Sequence, residues 1–117
     1  MNEKVTIEFH KGKVERDYPE VRISRSNDGK KGNAIYKFSK PTSITIENCA
    51  NVQRMYLIDE EGELSTRKIN LSILKNSIKE IKSIYSWNSE LEFERFMRFA
   101  ERYAKSHGLG YTETGNS

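Results

Sequence analysis

Val5, Ile7 and Phe9 alternate with Thr6 and Glu8, the period of two expected of a strand with one buried face. Residues 11–19 are charged and aperiodic, so they read as a connection. Val21 and Ile23 resume the alternation, and NDGKKG at 27–32 predicts a hairpin turn, because Asn, Asp and Gly tolerate the backbone that tight turns need. The return strand, 33–38, places Ala34, Tyr36 and Phe38 on one face, with Ile35 and Lys37 on the other. Lys40-Pro41 breaks the pattern, since proline cannot donate to a ladder. Ile44 and Ile46 then predict a short strand. Residues 55–58 are apolar at consecutive positions, which implies a central strand buried on both faces. Asp59-Glu60-Glu61-Gly62 has the signature of a type I turn with a left-handed glycine, and one strand after it carries Leu64, Ile69, Leu71 and Ile73. Residues 74–87 fit helical spacing at Leu74, Ile78, Ile81 and Tyr85, but their Ile and Ser content favours a strand, placed at 79–86.

The last element is helical. Ser89 and Glu92 form a capping box and Gly108 supplies the stop. Between them Phe93, Phe96, Met97, Ala100, Tyr103 and Ala104 make an apolar stripe that must lie on a sheet, with Phe99 on its flank. Glu94 and Arg98 stand one turn apart as a candidate pair. The pattern predicts an α+β fold: a mainly antiparallel, sandwich-like β-structure with a C-terminal amphipathic helix packed on the sheet. At 117 residues it forms one domain, 1–117, with an ordered core over about 4–111 and a polar tail at 112–117.

Composition narrows the function classes. The net charge is +3, too small to announce a nucleic-acid protein, yet it is unevenly placed. Residues 11–40 hold nine basic and four acidic side chains, 59–63 hold four acids, and 67–82 hold five bases against Glu80. Segregated charge of this kind suits an electrostatically steered partner. No apolar run approaches the ~20 residues that cross a bilayer. The alternation starts at Val5, directly after MNEK, which leaves no room for a signal peptide. Cys49 is alone, so no intramolecular disulfide forms and a reducing compartment is expected.

Catalytic equipment is not legible. His10 and His107 have no ligand partners at helix-face spacing, so no metal is expected, and His107 reads as a cation at a helix C-terminus. Gly29 and Gly32 do not open a helix, so they are not a phosphate loop. The residues alone best support a small single-stranded nucleic-acid-binding β-domain. It would use the basic face between Arg22 and Lys40, with Arg22, Arg25, Lys30, Lys31 and Lys37 around Tyr36.

Four stretches change that reading. RISRSNDGKKGNAIYKF at 22–38, MYLIDEEGEL at 55–64, TRK just after it, and FERFMRFAERYAKSHGLGY at 93–111 together resemble the photosystem II thirteen-kilodalton protein family, the Psb twenty-eight assembly factors. The likeness runs in order from about Val5 to Tyr111. It implies a non-catalytic, cofactor-free extrinsic protein, peripheral to the thylakoid membrane on its cytoplasmic or stromal side. It further implies transient binding to photosystem II assembly intermediates containing the forty-seven-kilodalton antenna subunit, and no nucleic acid. A sheet edge is expected to take up the antenna subunit's C-terminal tail by strand addition. Arg22, Arg25 and Arg67 are the expected charge-assisted clamps. Asp59, Glu60 and Glu61 are expected to meet basic reaction-centre loops.

Overall fold

The computed structural model describes residues 4–109. In chain order these form β1 (Thr6–His10), β2 (Lys13–Val14), β3 (Glu20–Arg25), β4 (Gly32–Phe38), β5 (Met55–Asp59), β6 (Gly62–Thr66), β7 (Ile69–Leu74), β8 (Ser77–Trp87) and α1 (Glu90–Ser106). Two antiparallel four-stranded sheets result: a first sheet ordered β2-β1-β5-β6 and a second ordered β3-β4-β8-β7. The expected α+β class, with the helix packed against a sheet, is what is observed.

One apolar cluster joins the three layers. Phe9 of β1 meets Phe38 of β4 edge-on, ring centroids 5.2 Å apart, and so ties sheet to sheet. Phe96 of α1 lies 5.2 Å from Trp87 and 5.5 Å from Tyr85 on the inner face of the second sheet. Its completely buried ring shares the centre with Phe99, which the sequence had placed at the stripe's flank. The apolar sector of α1 is wider than one stripe because the helix is covered from both sheets. Ser89 starts it as predicted, its Oγ accepting from the Glu92 amide at 3.1 Å. The reciprocal bond reaches one residue further out, the Asn88 amide donating to Glu92 Oε1 at 2.7 Å.

Two glycines are required by geometry. Gly62 closes the β5–β6 turn at φ 128°, a region that excludes a side chain without strain. At Gly32 a Cβ would collide with the Ser24 carbonyl and sit 2.7 Å from Trp87 Cζ2, so the indole packs onto bare backbone.

Several expectations need correction. Residues 11–19 are not a bare connection: β2 pairs with β1 through Glu8 and Val14, and Glu15 is buried. The β1 strand is buried on both faces, Thr6 and Glu8 included, because Thr6 Oγ1 (2.8 Å) and the Gly12 amide (2.7 Å) satisfy the Glu8 carboxylate locally. Ile44 and Ile46 form no strand, since local bonds such as Thr45 N to Asn48 Oδ1 (2.8 Å) replace a ladder. The single strand expected over 64–73 is two, β6 and β7, in different sheets. Where the chain changes sheet, Thr66 Oγ1 donates to the Ile84 carbonyl at 2.6 Å and the Ile84 amide donates to Lys68 at 3.0 Å. The strand at 79–86 is present and longer, with a turn at Lys75 and Asn76 in left-handed backbone. The tail at 112–117 and Tyr111 lie outside the described residues.

Candidate partner-binding surface

Among the described residues no strand pairs with the outer side of β3 or β7, so the second sheet ends in two open edges. Its pairing is regular from Glu20↔Lys37 to Arg25↔Gly32 on the β3 side, whereas the β7–β8 ladder shifts register opposite Ser72 and Ile73, where β8 holds the extra residue Lys79. Alternation then decides which side chains face outward. One cross-strand row runs Glu20, Lys37, Lys82, Asn70 and the next runs Arg22, Ile35, Ile84. This outer face is therefore basic with a half-buried aliphatic centre.

Two shallow grooves cross it. One, of about 290 Å³, is lined by Glu20, Arg22, Ile35, Lys37 and Lys82. The other, of about 390 Å³, includes Arg67 and Lys68 and shares Ile35 and Lys82 with the first. Arg22 and Arg67, far apart in sequence, thus border one continuous surface. Glu80 is the acid within it, 3.8 Å from Lys37 Nζ and 4.0 Å from Lys82 Nζ.

Arg25 does not belong to that surface. It falls on the other face of β3, where its guanidinium carbon stands 3.9 Å from the Phe93 ring centroid and its Nη2 donates to the Gly29 carbonyl at 3.3 Å. The side chain lids the end of the core by a cation–π contact.

The acidic turn is also engaged internally. Arg95 grips Asp59 bidentately, at 2.9 and 2.7 Å, and Arg102 adds a third bond at 3.0 Å. Arg98 grips Glu61 at 2.7 and 3.0 Å, joined there by Arg102. Arg98 therefore makes its hydrogen bonds to the turn of the first sheet, with the charge of Glu94 one turn away still favouring it. Burial by itself would raise the Asp59 carboxyl, but the hydrogen bonds from Arg95 and Arg102 outweigh it and hold the group below the ordinary range. Arg98 and Arg102 hold Glu61 down to about 2. Of the three acids, Glu60 alone keeps a mostly exposed side chain, with Arg102 Nη2 at 4.0 Å.

Glu15 was missed in the sequence. Its carboxylate accepts the amides of Thr42 (2.7 Å), Ser43 (3.0 Å) and Asp17 (2.9 Å) and the hydroxyls of Thr42 (2.8 Å) and Ser43 (2.7 Å). Burial pushes its carboxyl upward, and these donors, Ser43 foremost, bring it below the usual value. Lys82 and Ile84 were legible in principle, because alternation along 79–86 sets them on one face.

The nucleic-acid reading loses its aromatic. Tyr36 is buried against Phe38 and Phe96, and burial pushes its hydroxyl's pKa upward. The residues between the bases on the open face are Ile35 and Ile84, which offer no stacking platform.

Comparison with known proteins decides the family. The Psb28 protein family model matches residues 7–111. The chain belongs to the Psb28 family. It is 62% identical over 106 residues to the "Photosystem II reaction center Psb28 protein" of Prochlorococcus marinus (strain NATL2A), covering 91% of this chain and 94% of that one. A protein of the same name from Synechococcus sp. (strain CC9605) is 41% identical over 114 residues, covering 97% and 90%. The one from Prochlorococcus marinus (strain MIT 9211) is 46% identical over 106 residues, covering 91% of each. Psb28 membership agrees with the resemblance carried by 22–38, 55–64 and 93–111.

Proposed function

We propose that this chain is a photosystem II-associated assembly factor that acts by binding alone, peripheral to the cytoplasmic or stromal side of the thylakoid membrane. No helix among the described residues is long and apolar enough to cross a membrane. The names of its relatives support the photosystem II association. The mode is strand addition: an extended segment, the C-terminal tail of the forty-seven-kilodalton antenna subunit, lays its backbone along β3. Arg22 and Lys37 then reach its acidic side chains. Arg67 extends the same contact across the shared groove, and Glu60 is left to meet basic loops of the reaction centre.

The observation that carries this reading is the regular, unpaired outer edge of β3 bordering a basic face. A long open edge is an aggregation hazard unless something covers it. The β7 edge serves less well as a template, because the bulge at Lys79 in β8 twists the ladder behind it between Ser72 and Ile73.

A synthetic peptide of the antenna tail tests it. Titration is expected to protect β3 amides from hydrogen exchange, and Arg22→Glu with Lys37→Glu is expected to abolish capture while the fold persists. Protection at β7 instead, or capture unchanged by the double reversal, would overturn the assignment.

A further inference from the structure

The β7–β8 hairpin is longer than the sheet that carries it. The β4 strand pairs with β8 from Ile81 to Trp87, whereas Ser77, Ile78 and Glu80 pair with β7 alone, Lys79 being the bulged residue between them. The hairpin thus projects by about 13 Å at ~3.3 Å per residue. Its turn is tight, Lys75 and Asn76 both holding positive φ (51° and 63°). At the tip Ile73 and Leu74 are 55% and 52% exposed.

A two-stranded ribbon is marginal in water, and this one ends in aliphatic side chains that the described residues leave more than half exposed. Successive strand residues point to opposite faces, so Ile73 and Leu74 display apolar surface on both sides of the ribbon. A flat protein face could cover only one of them. A medium that surrounds the tip covers both.

Charge indicates which medium. Residues 67–82 carry Arg67, Lys68, Lys75, Lys79 and Lys82 against Glu80, and Glu80 already sits near two lysines. Lys75 is in the turn itself and Lys79 is on the projecting arm, both exposed. Aliphatic tips ringed by lysine match a layer of anionic headgroups over acyl chain. We propose that the β7–β8 hairpin tip inserts Ile73 and Leu74 into the interface of an anionic lipid bilayer, with Lys75 and Lys79 on the headgroups. The arm extends past the Phe38 end of β4 as a continuation of β7 and β8, while β3 is the edge strand on the other side of the sheet, so a peptide on β3 and lipid at the tip are compatible.

Co-sedimentation of the full chain with vesicles tests this. Vesicles of phosphatidylglycerol mixed with phosphatidylcholine are expected to bind it and pure phosphatidylcholine vesicles are not. Ile73→Ser with Leu74→Ser, and separately Lys75→Glu with Lys79→Glu, are each expected to lower the bound fraction at least ~tenfold. A fluorophore on Asn76→Cys in a Cys49→Ser background is expected to shift to the blue on the anionic vesicles. Absence of phosphatidylglycerol-dependent binding, binding undiminished by both double variants, or no spectral shift would overturn the proposal. Antenna-tail capture is measured in the same variants and is expected to persist. Loss of capture with vesicle binding intact would make the tip a protein contact and equally overturn it.

Discussion

The two sheets treat their charged residues in opposite ways. In the first sheet Glu8, Asp59 and Glu61 are met by donors from the same chain. Its central strand β1 is buried on both faces. In the second, Arg22 and Lys82 stand exposed on an open face between two unpaired edges. A carboxylate taken out of water needs several partners at once, and the first sheet supplies them through α1 for Asp59 and Glu61 and through Thr6 and Gly12 for Glu8. A lysine or arginine left on an open strand keeps its hydration and remains available to another molecule. The same residue types therefore build the scaffold on one side and the proposed docking face on the other.

The largest expected effect is on what both halves share. Phe96→Ala removes a ring buried against Trp87, Tyr85 and Tyr36 and is expected to cost about 3–5 kcal/mol. Thermal unfolding reads it, and an unchanged midpoint would mean that the helix does not close the core over the second sheet. Next comes Glu15→Ala, which strands the amides and hydroxyls of Thr42 and Ser43 and is expected to cost about 2–3 kcal/mol, measured by urea unfolding.

Acid should separate the two halves. Asp59, Glu61 and Glu15 all have carboxyls held below their ordinary values in the folded state. Their contribution is complete above the unfolded values, 4.5 for a glutamate, and is lost as pH falls through the folded ones, about 2 for Glu61. Stability is expected to be flat near neutrality and to fall across that window. Asp59→Asn with Glu61→Gln should flatten the acid limb. A limb of unchanged steepness would show that the helix arginines are not what holds the turn.

Smaller still is Arg25→Ala, which loses the contact with Phe93 and is expected to cost about 0.5–1 kcal/mol. At the end of the series Arg22→Glu is expected to shift unfolding by no more than ~0.5 kcal/mol while weakening peptide capture. A stability change as large as that of Glu15→Ala would place Arg22 in the scaffold.

Most of the strands and the helix were legible because their side chains repeat with the period of the element, as in Val5, Ile7 and Phe9 or Phe93, Phe96 and Ala100. What escaped has no period. Glu15 looks like any acid in a charged run, and only the loop 27 and 28 residues away makes it a buried anchor. Arg25 and Asp59 looked like surface charges because their partners, Phe93 and Arg95, belong to the helix at the other end of the chain. Of the candidate site, Arg22 and Arg67 could be named from sequence. That they border one surface follows from strand order, which periodicity does not specify.

The helix lies downstream of every strand, and this sets an order of events during synthesis. Asp59 waits for Arg95 and Arg102, 36 and 43 positions later in translation, and Trp87 waits for Phe96. A nascent chain paused before α1 carries an uncovered aromatic floor and an acidic turn with none of its arginines. Completion of the last turns of helix is thus the step that covers this floor and pairs the acidic turn.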